Sequence, residues 1–172
     1  MSLPIHPMDR VEVRYKGIYD FENLYKVLRQ WFFDRKYDFH ETRYKDKASS
    51  PFGNEVEINM SPWLKLDEFI MYHVDIKTHF WDVKEFEAVV DGKKKLMTEG
   101  RFWITFNGWV EFDYNNKFKS SFEKRILKFL IKTALKKYFE LKYLDGVTYD
   151  VYELEALIKK NLKMDSSYNA YP

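Results

Sequence analysis

The sequence predicts a single α+β domain, an antiparallel meander sheet of five to seven strands packed on a long C-terminal helix, with one early helix and a final short helix. Three observations predict it. Strict period-2 alternation runs through most of residues 70–114. Helical spacing of apolar residues appears once early, from Phe21, and again after Ser120. Between those helical stretches strand follows strand, which selects antiparallel neighbours over a parallel α/β sheet.

Val11, Val13 and Tyr15 alternate with Glu12, Arg14 and Lys16 as a half-buried strand. Asp20 fits a helix N-cap, with Tyr19 and Leu24 placed as a hydrophobic staple. Phe21, Leu24, Leu28, Trp31 and Phe32, joined by Tyr25, form the apolar stripe of that helix, and Asp34-Arg35-Lys36 ends it. A strand is expected from Asp38 to Lys45, then a turn-rich stretch from Ala48 to Asn54, then a strand from Glu55 to Met60.

Two long strands joined around Asp91-Gly92 explain the alternation of 70–80 and 96–114. A two-residue turn pairs 90 with 93 and sets even residues opposite odd ones, which would bury one strand's polar set. The preferred solution is a three-residue connection, Val90-Asp91-Gly92, with Gly92 left-handed. A bulge near Trp81-Asp82 is the alternative. Ser120 and Glu123 form a capping box, and the helix it opens is expected to run on to about Lys142. Asp145-Gly146 reads as a break, and Asp150 with Glu153 as a second capping box opening the final helix.

The chain has 172 residues, 29 Lys+Arg and 27 Asp+Glu, so a formal charge of +2, which argues against a generic polyanion binder. Fifteen Phe, 13 Tyr and five Trp supply a large aromatic core. There is no cysteine, which removes disulfides, thiolate metal sites and thiol catalysis. Residues 1–10 are read as an N-terminal extension without a signal-peptide core, 11–164 as the domain and 165–172 as a flexible tail. No apolar run is long enough to span a membrane, and a cytoplasmic protein is the expectation.

The element order resembles that of the helix-grip proteins of the START-like superfamily, in which a curved antiparallel sheet wraps a long C-terminal helix. The two-helix segment usual after their first strand is here one helix. Trp81-Asp82-Val83 followed by Asp91-Gly92-Lys93-Lys94-Lys95-Leu96 is similar to a pattern in small uncharacterised archaeal proteins, and no activity attaches to that likeness. If the sheet grips the long helix, the space between them is a candidate pocket for an apolar small molecule or lipid. Its lining would be Tyr72, Val74, Phe102, Ile104, Phe106, Leu130 and Ala134. The competing reading is that these side chains fill the core.

The odd face of the long hairpin carries the other candidates. Lys77, His79 and Trp81 on one strand face Arg101, Trp103 and Trp109 on the other. Trp81 falls opposite Arg101, which suits a cation–π contact. Three tryptophans are too much apolar area for bare solvent. The primary reading is an interface for a second copy or another protein, with Trp and Arg as anchors. A helix covering this face is the structural alternative, and single-stranded nucleic acid stacking on it is a further one. His73, Asp75 and His79 share the face, but residues 73 and 79 are roughly 20 Å apart at about 3.3 Å per residue, so no metal site is expected. Glu85, Glu87 and Glu99 read as ion-pair partners of nearby lysines. No phosphate-cradling loop, metalloprotease or nucleophile-elbow motif is present, so no catalytic residue and no cofactor is expected. Residues 117–142 hold nine Lys/Arg against Glu123 and Glu140, a local charge of +7 that leaves −5 for the rest. That stretch reads either as a core helix with a solvated ridge or as a basic amphipathic helix for an anionic surface.

Overall fold

The computed structural model describes residues 3–5, 8–50, 53–90, 92–133 and 136–164. The expected tail 165–172, Asp91 of the hairpin turn and Ala134 lie outside the described residues. The elements are β1 (Leu3–Ile5), β2 (Val11–Tyr19), α1 (Phe21–Asp34), β3 (Glu41–Ser50), β4 (Gly53–Met60), β5 (Trp63–Lys65), β6 (Ile70–Val90), β7 (Lys93–Phe112) and α2 (Ser121–Lys132). A helical segment, 136–161, follows. It comprises α3 (Lys136–Phe139), a π turn (Glu140–Leu144) and α4 (Asp145–Asn161). The class is α+β, with a seven-stranded antiparallel sheet and a long C-terminal helix.

β6 and β7 form the spine of the sheet, and each shares its outer edge between a short strand and a longer one. β5 and β4 line β6, with β3 beyond β4; β1 and β2 line β7. Leu3–Ile5, expected as part of an extension, therefore belongs to the sheet. The first full strand, β2, closes against the last one because both bury alternate residues on the same face.

The hairpin register corrects the preferred expectation. Val90 pairs with Lys93, so the turn has two residues, with Gly92 at φ +74°. Even-to-even pairing, from Ile70↔Phe112 to Phe80↔Phe102, is recovered by a bulge instead: Asp82 and Val83 lie between the pairs Trp81↔Arg101 and Lys84↔Glu99. Asp82 takes φ +57°. The inner face switches there from even residues such as Phe80 to odd ones such as Glu85, which pairs with Thr98. Gly100 sits opposite the bulge and pairs with Gly17 across β2, while Gly53 on β4 lies against the Asp82 carbonyl, where a Cβ would come within 2.5 Å of it. A crease of three glycines around the Asp82-Val83 bulge thus crosses four strands.

The even face of β6 and β7 up to the crease is the core floor: Ile70, Val74, Ile76, Phe102, Phe106, Val110 and Phe112 are all buried. Asp20 caps α1 by accepting the Asn23 N–H, and Tyr19 and Leu24 are both buried as the staple requires. Lys36, at φ +62°, turns the chain out of α1. The two C-terminal helical stretches are divided differently from the expectation. Asp145-Gly146 is no break, because the helix runs through it, and Asp150 with Glu153 does not cap. Tyr37 Oη donates to Asp150 at 2.6 Å, and Arg35 pairs with both Asp150 and Glu153, tying the end of α1 to α4. α4 supplies Val147, Val151, Leu154 and Ile158 to the core. It fits closely because β7 has glycine beneath it: a Cβ at Gly108 would lie 2.9 Å from Val151 Cγ2 and 3.1 Å from Val147 Cγ2.

Gly108→Ala therefore forces α4 off the sheet. It should lower the unfolding free energy by about 1–3 kcal/mol, read from the denaturant midpoint at unchanged m-value. An unaltered midpoint contradicts the seating described.

Candidate functional site

The helices pack on the even side, so α4 does not cover the odd face of β6 and β7. Alternation alone carries side chains there, and register brings them into rows. One row crosses the sheet as Arg14, Trp103, His79 and Glu57; the next holds Lys16, Arg101 and Trp81. Trp81, Arg101 and Trp103, expected together, meet with Arg14, Lys16 and the Tyr15 and Phe102 segments around an open groove of about 440 Å³.

The rings are sheathed rather than bare. The Arg101 guanidinium stands 5.4 Å from the Trp81 ring centre and hydrogen-bonds Asp82 at 2.9 Å; that of Arg14 stands 5.5 Å from the Trp103 ring. The His79 ring stacks on Trp81 at 3.9 Å, and its Nε2 is 2.5 Å from Glu55 Oε1. The buried Trp103 Nε1–H has no hydrogen-bond partner among the described residues. Arg14 and Lys16 were missed because pairing of the first full strand with the last is not a local property. Their polar alternation in β2 was the available signal.

Trp109 lies apart from the groove, at the other end of the same face. Its ring stacks on His73 at 3.8 Å, nearly parallel, and its Nε1–H donates to Asp75 at 2.9 Å. Asp75 also accepts from Ser61, and His73 Nε2 is 2.8 Å from Glu111. Lys77 sits between the two ends, where it lines a pocket with Met8, Asp9 and Arg10 of the connection from β1 to β2. His73 and Asp75 therefore have separate partners. Glu55, Glu57 and His79 are the described residues that approach metal-ligand spacing, with ligand atoms within 4.8 Å of one another. Arg43 pairs with Glu57 at 3.2 Å and His79 lies against Glu55, so each carboxylate of the trio already has a partner.

The residues of the expected apolar pocket are placed differently. Tyr72, Val74, Phe102, Ile104 and Phe106 are buried on the core side, and Tyr72 Oη donates to the Tyr143 carbonyl. Leu130 is half-buried on α2, not on the core helix. Beyond the crease a cleft of about 300 Å³ opens on the inner face, among Tyr19, Phe21, Phe80, Val83, Glu85 and Thr98. At the hairpin tip Lys94 pairs with Glu87, as the charge pattern implied; Lys84 is in register with Glu99, and Glu85 stands opposite Thr98 at the inner cleft. Comparison with protein-family models and with curated proteins yields no match.

Burial holds the His73 pKa below its ordinary 6.5, opposed by the hydrogen bond and charge of Glu111 and by Asp75. The neutral ring is thus favoured in the folded state. Its contribution to stability is present above the ordinary pKa and is lost as pH falls through the folded one. An NMR titration should place the His73 midpoint below 6.5, and Glu111→Gln should lower it further. A midpoint above 6.5 contradicts this balance.

Proposed function

We propose that the protein is a non-enzymatic binding protein that seats a protein partner, or a second copy of itself, on the groove between Trp81 and Trp103. The observation that carries this reading is the groove itself. Two indoles and three cationic side chains converge on a sheet face that α4 leaves open, and indole and guanidinium groups are the side chains that most often anchor interfaces. The apolar walls favour burial, and Lys16 with the ion pairs Arg14–Glu12 and Arg101–Asp82 sets a charged rim that fixes the orientation of a polar counter-surface. A partner would displace water from rings whose edges are already held in place, so little side-chain entropy is lost on docking.

A second reading uses the same groove. Two indoles beside three cations suit successive bases and phosphates of single-stranded nucleic acid. The inner cleft near Tyr19 supports a small-molecule carrier, the reading implied by a helix-grip architecture. Native mass spectrometry of gently purified protein addresses that last reading, because a retained ligand and the oligomeric state appear in one spectrum.

The deciding variants are Trp81→Ala and Trp103→Ala, each followed by sedimentation equilibrium and thermal melting. Truncating a ring that anchors an interface should weaken association by about thirtyfold or more, with the melting temperature of the monomer nearly unchanged. Unfolding at unchanged oligomeric state would assign the rings to the fold and end the reading. Anisotropy of a labelled oligothymidylate tests the nucleic-acid alternative, for which affinity must fall steeply with salt.

A further inference from the structure

The apolar face of α2 points largely to solvent. Ile131 is buried, and Leu127 and Leu130 are half-buried, which holds the helix to the body. Phe122, Ile126 and Phe129 form a separate ridge at i, i+4 and i+7, and they are 69%, 44% and 64% exposed. The ridge extends about 10 Å along the helix at 1.5 Å per residue. Tyr138 and Leu141, on the helical segment that follows, are exposed as well.

Charge is distributed around this ridge in one sign. Arg125 and Lys128 are exposed on the polar side of α2, Lys119 is exposed just before it, and Lys137 just after. Glu123 is the single acid between residues 117 and 132, and its carboxylate is occupied at the helix start, accepting the Ser120 N–H at 3.0 Å. The capping box, with Ser120 Oγ accepting from the Phe122 N–H, fixes where the helix begins and hence which side chains share the ridge.

Three occupants compete for such a surface, and the observations separate them. A nucleic acid would use the cations but leave an apolar ridge without a partner. A second copy docked on a two-fold axis would bury the ridge but set Arg125 and Lys128 near their own images. An anionic bilayer satisfies both sets, since acyl chains take the ridge and headgroup phosphates take the cations. Among the described residues no helix is long and apolar enough to cross a membrane, so the contact lies in the interface plane. We propose that α2 is an interfacial anchor that lays Phe122, Ile126 and Phe129 into the surface of an anionic membrane. The contact is peripheral and reversible, because one short helix supplies it. It is also independent of the Trp81–Trp103 groove.

Flotation of the full chain with phosphatidylcholine vesicles, with and without one-quarter phosphatidylglycerol, tests this. Binding should require the anionic lipid and weaken between 0.1 and 0.5 M salt, as the screening length shortens. Phe122→Ser with Phe129→Ser should reduce partitioning more than about tenfold. Arg125→Gln with Lys128→Gln should reduce it by about twenty-five-fold, at about fivefold per cation. Phe33→Ser, which removes an equally exposed ring from α1, is the control and should leave partitioning unchanged. Circular dichroism checks that each variant is folded. No partitioning onto anionic vesicles, equal partitioning onto neutral ones, or sedimentation as a dimer that Phe129→Ser dissociates would each overturn the proposal. So would oligonucleotide binding that the Arg125→Gln/Lys128→Gln variant alone abolishes.

Discussion

Two strands of about twenty residues must share one register and still bury a single face, and the bulge at Asp82-Val83 is what reconciles these demands. A two-residue turn pairs Val90 with Lys93 and so opposes odd and even residues from the tip downward. Without a shift, that pairing would place the apolar set Ile70–Phe80 and the apolar set Phe102–Phe112 on opposite faces. The extra residue on β6 changes the parity at one point, and everything below it pairs even to even. The bulge needs room on both sides, which Gly100 and Gly53 supply. A bulge also bends its strand, so the same residues shape the sheet around the helix seated on it.

The choice of core helix depends on the floor that this register creates. α2 and α4 are both amphipathic, but the sheet presents Gly108 between Val74 and Val110, a depression suited to small β-branched side chains. Val147 and Val151 enter it, and a phenylalanine there would hold the helix away. Gly146 repeats the principle in reverse, since a Cβ there would come within 2.4 Å of the Tyr72 hydroxyl oxygen. α4 wins the site, and α2, with Phe122 and Phe129, is left with most of its apolar face in solvent. Arg35 and Tyr37 then bind Asp150 and Glu153, and α1 and α4 become one layer. Burial raises the pKa of Asp150, against the hydrogen bond from Tyr37 and the charge of Arg35, so this carboxylate is held by its partners at a cost in solvation.

The outer face follows a different logic. Its tryptophans are neither core nor bare surface: His79 and Arg101 flank Trp81, Arg14 lies over Trp103, and His73 stacks on Trp109. Each contact removes apolar area from water while leaving a polar rim. The result is a rigid patterned surface, with a groove at one end and a fully partnered His73–Glu111, Trp109–Asp75–Ser61 array at the other.

By itself the sequence determined much of what depends on short-range periodicity, although the break at Asp145-Gly146 and the cap at Asp150, read from the same local signals, gave way to a helix that runs through both. The strands β2, β4, β6 and β7, the α1 cap at Asp20, the α2 capping box, the face shared by Trp81, Arg101, Trp103 and Trp109, and the Trp81–Arg101 contact are legible from spacing, because a strand or helix converts spacing into direction. The joining of Arg14 and Lys16 to Trp103 and Arg101 was not legible, nor was the separation of Trp109 from that groove. The spacing offered a bulge near Trp81-Asp82 beside a three-residue turn and favoured the turn, so the choice between them was not legible, nor was the seating of α4 in place of α2. Those outcomes rest on contacts between residues far apart in the chain: Gly53 against Asp82, Gly17 against Gly100, Gly108 under Val147 and Val151. Steric room at such meetings is a property of two segments at once. Local pattern names the faces that want burial; only the folded sheet, with its limited floor, decides which of them obtain it.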